Sequence, residues 1–395
     1  MYTKTKAPAG HIEPRKNTKG EITHYRAVIN YTDENGIKRK PYKKAATKDE
    51  AEALLIQMKA EFMNGEFTEP NEMRTSEYLE TWYNAYVVNQ RSESTVLDYR
   101  EIIDRYLIPT WGNIKLQALK TISIQMLFNT WSVKSPLSDK PLAVETLKHI
   151  RRVFNTALNK AVEIELLKRN PLKGVTIGRD NSKKEIEVFS EEEIQKLFQA
   201  IKGTDNELIV AFLFDTLARR SEALGARWSD LNMKTGTLTI QHTYIRTLDG
   251  CKFKDGTKSQ SSKRSMVLTD YTLELLRKEK FVQMQNKLKL GEDYEDNDLI
   301  ICQPNGKPYQ GNSFTQKWSR LLKKNGIRHI KLHGSRHSAI SMMVSKGIFP
   351  KYVQERAGHK SCDITMNIYT HVSNDQKIKT AKTINDEFFK IVVNN

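Results

Sequence analysis

A chain of 395 residues is longer than one hydrophobic core usually serves, so two or three domains are expected. A hydrophobic share of 38% excludes a disordered chain, and no apolar run approaches the roughly 20 residues of a membrane-spanning helix. Lysine and arginine total 64 against 47 acids, a net charge of +17, which calls for a polyanionic partner and favours nucleic acid over a membrane surface.

In chain order, the N-terminus MYTKTKAPAGHIEPRK is a basic, poorly patterned arm without the apolar core of a secretory signal, so a cytoplasmic protein is expected. HYRAVINY and KRKPYKKA read as two strands around Asp33-Glu34-Asn35-Gly36, a hairpin signal. Thr47 and Glu50 form a capping box ahead of the helical AEALLIQMKAEFM. Residues 1–48 hold 12 lysines and arginines against 4 acids, and a ribbon of that charge can enter a DNA groove, with Arg26, Lys38, Arg39, Lys40, Lys43 and Lys44 as candidate contacts.

Four amphipathic helices follow in a compact bundle: SEYLETWYNAYVV, STVLDYREIIDRYLI ending at Pro109, ISIQMLFNTW, and LAVETLKHIRRVFNTALNKAVEIELL ending before Asn170-Pro171. On the last of them, Lys148, Arg151 and Arg152 are candidate phosphate contacts. Residues 173–188 lack periodicity and read as a linker. A new domain opens at Phe189, where Ser190 and Glu193 form another capping box.

Within that domain, residues 215–231 read as a buried helix interrupted by Arg219 and Arg220, with Glu222 in ion-pair reach of Arg219. TLTIQHTYI and SMVLT read as the arms of a hairpin with Lys258 near its tip, and Lys254 and Lys263 lie in the same hairpin. LHGSRHS (332–338) opens a helix with His333 and Arg336 one turn apart on one face, while His337 points elsewhere as a structural neighbour. His359 and, ten residues on, Tyr369 complete the group. Cys251, Cys302 and Cys362 lie far apart and indicate neither disulfides nor a zinc knuckle.

Two chemistries compete for these residues. His333, His337, His359 and His371 could bind a metal, although the glutamate of an HExxH site and paired acidic or cysteine ligands are missing. Alternatively, two arginines, two histidines and a lysine surround a phosphodiester that a tyrosine attacks, with guanidiniums neutralising the oxygens and no metal or other cofactor required. The second reading accounts for more of the residues.

From about residue 189 to 375 the sequence resembles the catalytic domain of the tyrosine recombinases, in particular the integrases of phages and of integrative conjugative elements in Gram-positive bacteria. The resemblance runs through ARRSEALGARW, TKSQSSKRSMVL, HGSRHS, AGHKS and MNIYTHV. It departs at Thr216-Leu217, where the family commonly has Thr-Gly, and at Ser335, which replaces a usually apolar residue.

The resemblance implies that Arg219 and Arg336 bind the scissile phosphate, Lys258 protonates the leaving 5′-hydroxyl, His333 serves in proton transfer, His359 bonds a phosphate oxygen, Tyr369 attacks, and Glu222 holds the site together. It implies a multidomain, mainly α fold with small β-sheets. An arm-type DNA-binding domain (1–70), a three-stranded sheet plus helix, leads into a helical SAM-like core-binding bundle (71–172). After the linker (173–188) comes a mixed α/β catalytic domain with a C-terminal tail (189–395). The implied function is integration and excision of a phage or conjugative element through a 3′-phosphotyrosine. The partners are core and arm-type sites on double-stranded DNA, three further copies in a tetramer, an excisionase and a host DNA-bending protein, at the bacterial nucleoid. A type IB topoisomerase-like enzyme and a catalytically silent DNA-binding protein are the alternatives. In the tail, residues 375–387 read as a short helix, and Phe388, Phe389, Ile391, Val392 and Val393 as a β-favouring run that either docks as a strand on a neighbouring subunit, the reading favoured, or folds back on its own domain.

Overall fold

Strand β2 (Ile22–Thr32) is the centre of the N-terminal sheet, and strict alternation along it turns Tyr25, Ala27, Ile29 and Tyr31 toward one apolar layer. β1 (Ala9–Lys16), β3 (Lys38–Arg39) and β4 (Tyr42–Ala45) each pair with it antiparallel, so the expected three strands are four, the stretch KRKPYKKA being divided around Pro41. Helix α1 (Lys48–Met63), started by the Thr47 and Glu50 capping box, covers that layer with Ala51 and Met58. The arm that the pattern left unstructured is therefore partly strand β1. Its inward side is carried mainly by Ile12, so the alternation is too sparse to read before the pairing with β2 is known.

The computed structural model describes residues 7–32, 36–64, 67–178, 186–255, 263–368 and 381–383, the side chain of Asn367 excepted. Two compact units divide it, residues 1–182 and 183–395. Lys258, Tyr369, His371 and the tail from Phe388 onward lie outside the described residues, as do Asp33-Glu34-Asn35 of the hairpin signal; of the expected tail helix only 381–383 are described, and they are helical.

The first unit holds a second apolar core, that of the bundle. Helix α2 (Thr75–Trp82) continues into a π-helical turn at Tyr83–Val87, α3 (Glu93–Ile102) continues through a second at Ile103–Leu107 into α4 (Ile108–Trp111), and α5 (Thr121–Trp131) and α6 (Val144–Glu163) complete it. The helix expected to end at Pro109 runs through it. The wide turn before it pairs Ile108 N–H with Ile103, so the proline occupies a fresh helical start, where a missing N–H costs no hydrogen bond. Trp111 stacks on Phe154 at 4.9 Å in the centre. The start of the expected linker packs here too: Val175 is buried, and Arg151 donates to its carbonyl at 3.1 Å.

In the second unit, α7 (Glu191–Ile201) begins at the Ser190 and Glu193 capping box. α8 (Glu207–Thr216) and α9 (Arg220–Gly225) follow, then β5 (Leu231–Asn232), β6 (Thr237–Ile240), β7 (His242–Thr247), β8 (Gly250–Asp255) and β9 (Arg264–Val267). α10 (Asp270–Leu290), α11 (Gly311–Lys324), α12 (Leu332–Ser345), α13 (Pro350–Ala357) and α14 (Cys362–Ile368) complete it. The single expected hairpin is in fact two antiparallel pairings: β6 pairs with β9 in a sheet ordered β5-β6-β9, and β7 pairs with β8 as a hairpin between them. Strand β8, GCKFKD, reads as turn in the sequence because lysines and a glycine mask its alternation.

Helix α9 lies so close to β7 that a Cβ at Gly225 would stand 2.7 Å from Thr243 Cα. Gly225→Ala is expected to lower stability by about 1–3 kcal/mol, the usual cost of overpacking, as read from the shift in a denaturant or thermal melt.

Candidate active site

The long buried helix expected over residues 215–231 breaks at Leu217, which takes the left-handed conformation at φ +52°. This geometry costs a non-glycine residue about 1–2 kcal/mol, which the complete burial of the leucine side chain offsets. The break lets the chain turn, so that Arg219 becomes the residue ahead of α9 instead of continuing along α8.

Arg219 is held from two sides. Its Nη1 donates to Glu222 Oε1 at 2.8 Å, its own backbone N–H donates to Glu222 Oε2 at 2.9 Å, and its Nη2 donates to the Gly358 carbonyl at 3.3 Å. The guanidinium keeps 37% of its side-chain surface exposed, while Glu222 is buried. Glu222 also accepts from Arg264 Nη2 at 3.0 Å. Burial pushes the Glu222 carboxyl up, but Arg264 and then Arg219 together outweigh it and hold the group below the usual carboxylate range.

Arg336, on α12, is 2% exposed. Its Nη2 donates to the Ala357 carbonyl at 2.6 Å and its Nη1 to the Leu217 carbonyl, so the left-handed turn also supplies one of its acceptors. Its buried Nε has no hydrogen-bond partner among the described residues. Burial first, and then the charge of Arg219, bring the Arg336 guanidinium down to about 9. Two arginines thus donate to consecutive carbonyls, Ala357 and Gly358, at the C-terminal end of α13, where the helix dipole favours cations.

His359 follows that turn. Its Nδ1 shares a 2.9 Å hydrogen bond with Thr365 Oγ1, which ties it to α14. Burial, then Arg336 and Arg219, hold its imidazole at about 4. His337, expected to point elsewhere, instead lies one turn on from His333 on the same face of α12, and the two rings meet edge-to-face with centroids 4.6 Å apart. Solvent still reaches part of the His333 ring, while the packed side and then His337, Arg336 and Arg219 keep its pKa well below the ordinary value. Against the metal alternative, these imidazoles stand among arginines that repel a cation, and His371, the fourth histidine of that set, lies outside the described residues.

Residues 187–376 match the phage integrase family, and residues 76–132 match the phage integrase N-terminal SAM-like domain. Residues 187–376 thus form a phage integrase domain. A XerC-like tyrosine recombinase of Caldanaerobacter subterraneus subsp. tengcongensis is 28% identical over 386 residues, covering 92% of this chain and 96% of its own. The ICEBs1 integrase of Bacillus subtilis is 26% identical over 253 residues, covering 63% and 68%. In fold, the Tn1549 transposon integrase in complex with a circular-intermediate DNA aligns with a TM-score of 0.63 at 16% identity, over 79% of this chain and 99% of that one. A lambda integrase tetramer bound to a Holliday junction aligns at 0.57 and 17%, over 92% and 96%.

The remaining candidate contacts of this integrase differ in how they are held. In the N-terminal sheet Arg26 lies 4.0 Å over the Tyr42 ring on the face away from α1, and Lys38, Arg39, Lys40 and Lys44 are exposed. Lys43 turns the other way, 3.6 Å from Glu61. On α6, Lys148 pairs with Glu145 at 2.8 Å, Arg152 meets His149 at 2.6 Å, and Arg151 is engaged by the carbonyls of Leu172 and Val175. Lys254 and Lys263 are exposed. Ser335 fills its place without an unsatisfied group, since its hydroxyl donates to the Leu332 carbonyl at 2.7 Å.

Arg264, Asp215 and Arg356 are the site residues that sequence reasoning missed. Arg356 Nε donates to the Asp215 carbonyl at 2.6 Å, and Asp215 also accepts from Thr269 Oγ1 at 2.9 Å, so this pair fixes the end of α13 against α8 and the β9–α10 turn. The signal for Arg264 was alternation: with Met266 and Leu268 it forms the inner row of RSMVL, and an arginine in an inner row needs an acid.

Acidification provides a test. The folded chain holds His359 at about 4 while the unfolded chain titrates it near 6.5, so its contribution to stability is complete above pH 6.5 and is lost as pH falls toward 4. Thermal melts across that window are expected to decline, and a His359→Gln variant to decline less.

Proposed function

We propose that this integrase cuts and rejoins DNA at the cluster around the α13 C-terminal turn, integrating and excising a mobile element. One observation carries the reading: Arg219 and Arg336 meet consecutive carbonyls beside His359, and α14 leads from that turn to Tyr369. A tetrahedral phosphate matches such a pair of donors, and an anion would also offset the burial, and then the Arg219 charge, that depress the Arg336 guanidinium.

In this mechanism Tyr369 Oη attacks the phosphorus. A free phenol titrates near 10, so a base must take the proton as attack proceeds. His333, neutral in these surroundings, accepts it once the bound phosphate offsets the burial, and then the arginine charges, that weaken it as a base. Arg219 and Arg336 stabilise the charge that develops on the non-bridging oxygens, with His359 bonding one of them. The bond to the 5′-oxygen breaks as Lys258 protonates it, leaving a 3′-phosphotyrosine and a free 5′-hydroxyl. One phosphoester replaces another, so the hydroxyl of a partner strand can reverse the step without ATP.

The solved lambda integrase tetramer on a Holliday junction supports a tetramer for this chain on two DNA sites. The exposed basic residues of the N-terminal sheet support a second class of DNA site, read by residues 1–70. An excisionase and a host DNA-bending protein complete the proposed assembly at the nucleoid.

With DNA flanking its own gene, the chain is expected to form an SDS-resistant protein–DNA adduct that persists in EDTA. Tyr369→Phe should bind the same DNA and form none; an adduct in that variant would move the nucleophile elsewhere. Arg219→Ala and Arg336→Ala should each lose on the order of 3 kcal/mol or more of transition-state stabilisation in single-turnover cleavage.

A further inference from the structure

Glu222 acts on Arg219 in two opposed ways. It aims the guanidinium through its hydrogen bonds, and it also offers a buried negative charge 2.8 Å away that cancels the positive charge the phosphate needs. Among the described residues, the side chains bonded to Glu222 are Arg219, through Oε1, and Arg264, through Oε2. One carboxylate between two guanidiniums leaves a net positive charge; one carboxylate facing a single guanidinium leaves none.

We propose that Arg264 is a positioning residue: it balances the Glu222 carboxylate, so that Glu222 can orient Arg219 without neutralising it toward the DNA phosphate. The proposal rests on the recombinase reading above. Arg264 is well built for this. It is itself buried, its Nε donates to the Arg356 carbonyl at 2.6 Å, and it packs beneath Gly358, where a Cβ would stand 3.0 Å from its Nη1. It therefore spans from strand β9 to the same turn that holds Arg219 and Arg336. The lowered carboxyl of Glu222, with Arg264 the leading charge that lowers it, agrees with this pairing.

A purely structural Arg264 makes a different forecast, and the double variant separates them. Single-turnover adduct formation by the full chain is measured on a nicked suicide duplex spanning the junction found in the DNA flanking its gene. Arg264→Gln should slow it on the order of 100-fold, because the uncompensated carboxylate then claims Arg219. Arg264→Gln combined with Glu222→Gln should be about 10-fold faster than Arg264→Gln alone, since the offending charge is gone. Arg264→Lys, which keeps the charge and loses the geometry toward Arg356, should remain within about 10-fold of the parent chain, and this variant serves alone if the glutamine variant fails to fold. Duplex affinity, spread over many phosphate contacts, should move only a few-fold throughout.

A double variant no faster than Arg264→Gln, an Arg264→Gln variant at the parental rate, or an Arg264→Lys variant cleaving far below that range, more than about 10-fold slower than the parent, overturns the proposal alone. A parent chain that forms no adduct overturns the recombinase reading, and the proposal with it.

Discussion

The carboxylate of Glu222 is the group around which the catalytic unit is arranged. A buried carboxylate is costly unless it is paired and fully hydrogen-bonded, and here Arg219 and Arg264 supply three donors from two different elements. That requirement pins the start of α9 to β9. It also means that the exposed part of Arg219 reaches solvent from a fixed base, which is the preorganisation that transition-state stabilisation needs.

The second constraint is positional. Three arginines that would repel one another, Arg219, Arg264 and Arg336, are gathered on the last carbonyls of α13, at Arg356, Ala357 and Gly358. Helix-end carbonyls lack intrahelical partners, so the arginines satisfy groups that burial would otherwise strand. The turn can accept them because Gly358 takes φ +65° and carries no Cβ to collide with Arg264. Leu217 reaches its left-handed geometry without glycine's freedom. There the buried side chain outweighs the backbone cost, and the family's usual glycine is dispensable.

Much of this was legible in the sequence where the signal was local. The capping boxes at Thr47 and Ser190, the long amphipathic α6 and the one-turn spacing of His333 and Arg336 are nearest-neighbour patterns, and all are present. What stayed hidden depends on distant partners. Strand β8 is recognisable only against β7, the helix through Pro109 only with its π-turn, and the importance of Arg264 only beside Glu222, 42 positions away. Arg151 shows the converse. It reads as a free phosphate contact on a basic helix, but its guanidinium braces the segment after the bundle through two carbonyls.

Under the proposed function, this cluster of arginines receives one phosphate. A crystal structure of the Tyr369→Phe chain bound to a duplex carrying its crossover site tests it most directly. The non-bridging oxygens of the scissile phosphate are expected within hydrogen-bond distance of both the Arg219 and Arg336 guanidiniums, with Glu222 still bridging Arg219 and Arg264. A phosphate bound away from those two arginines, or reached only after Arg219 has left Glu222, would contradict it.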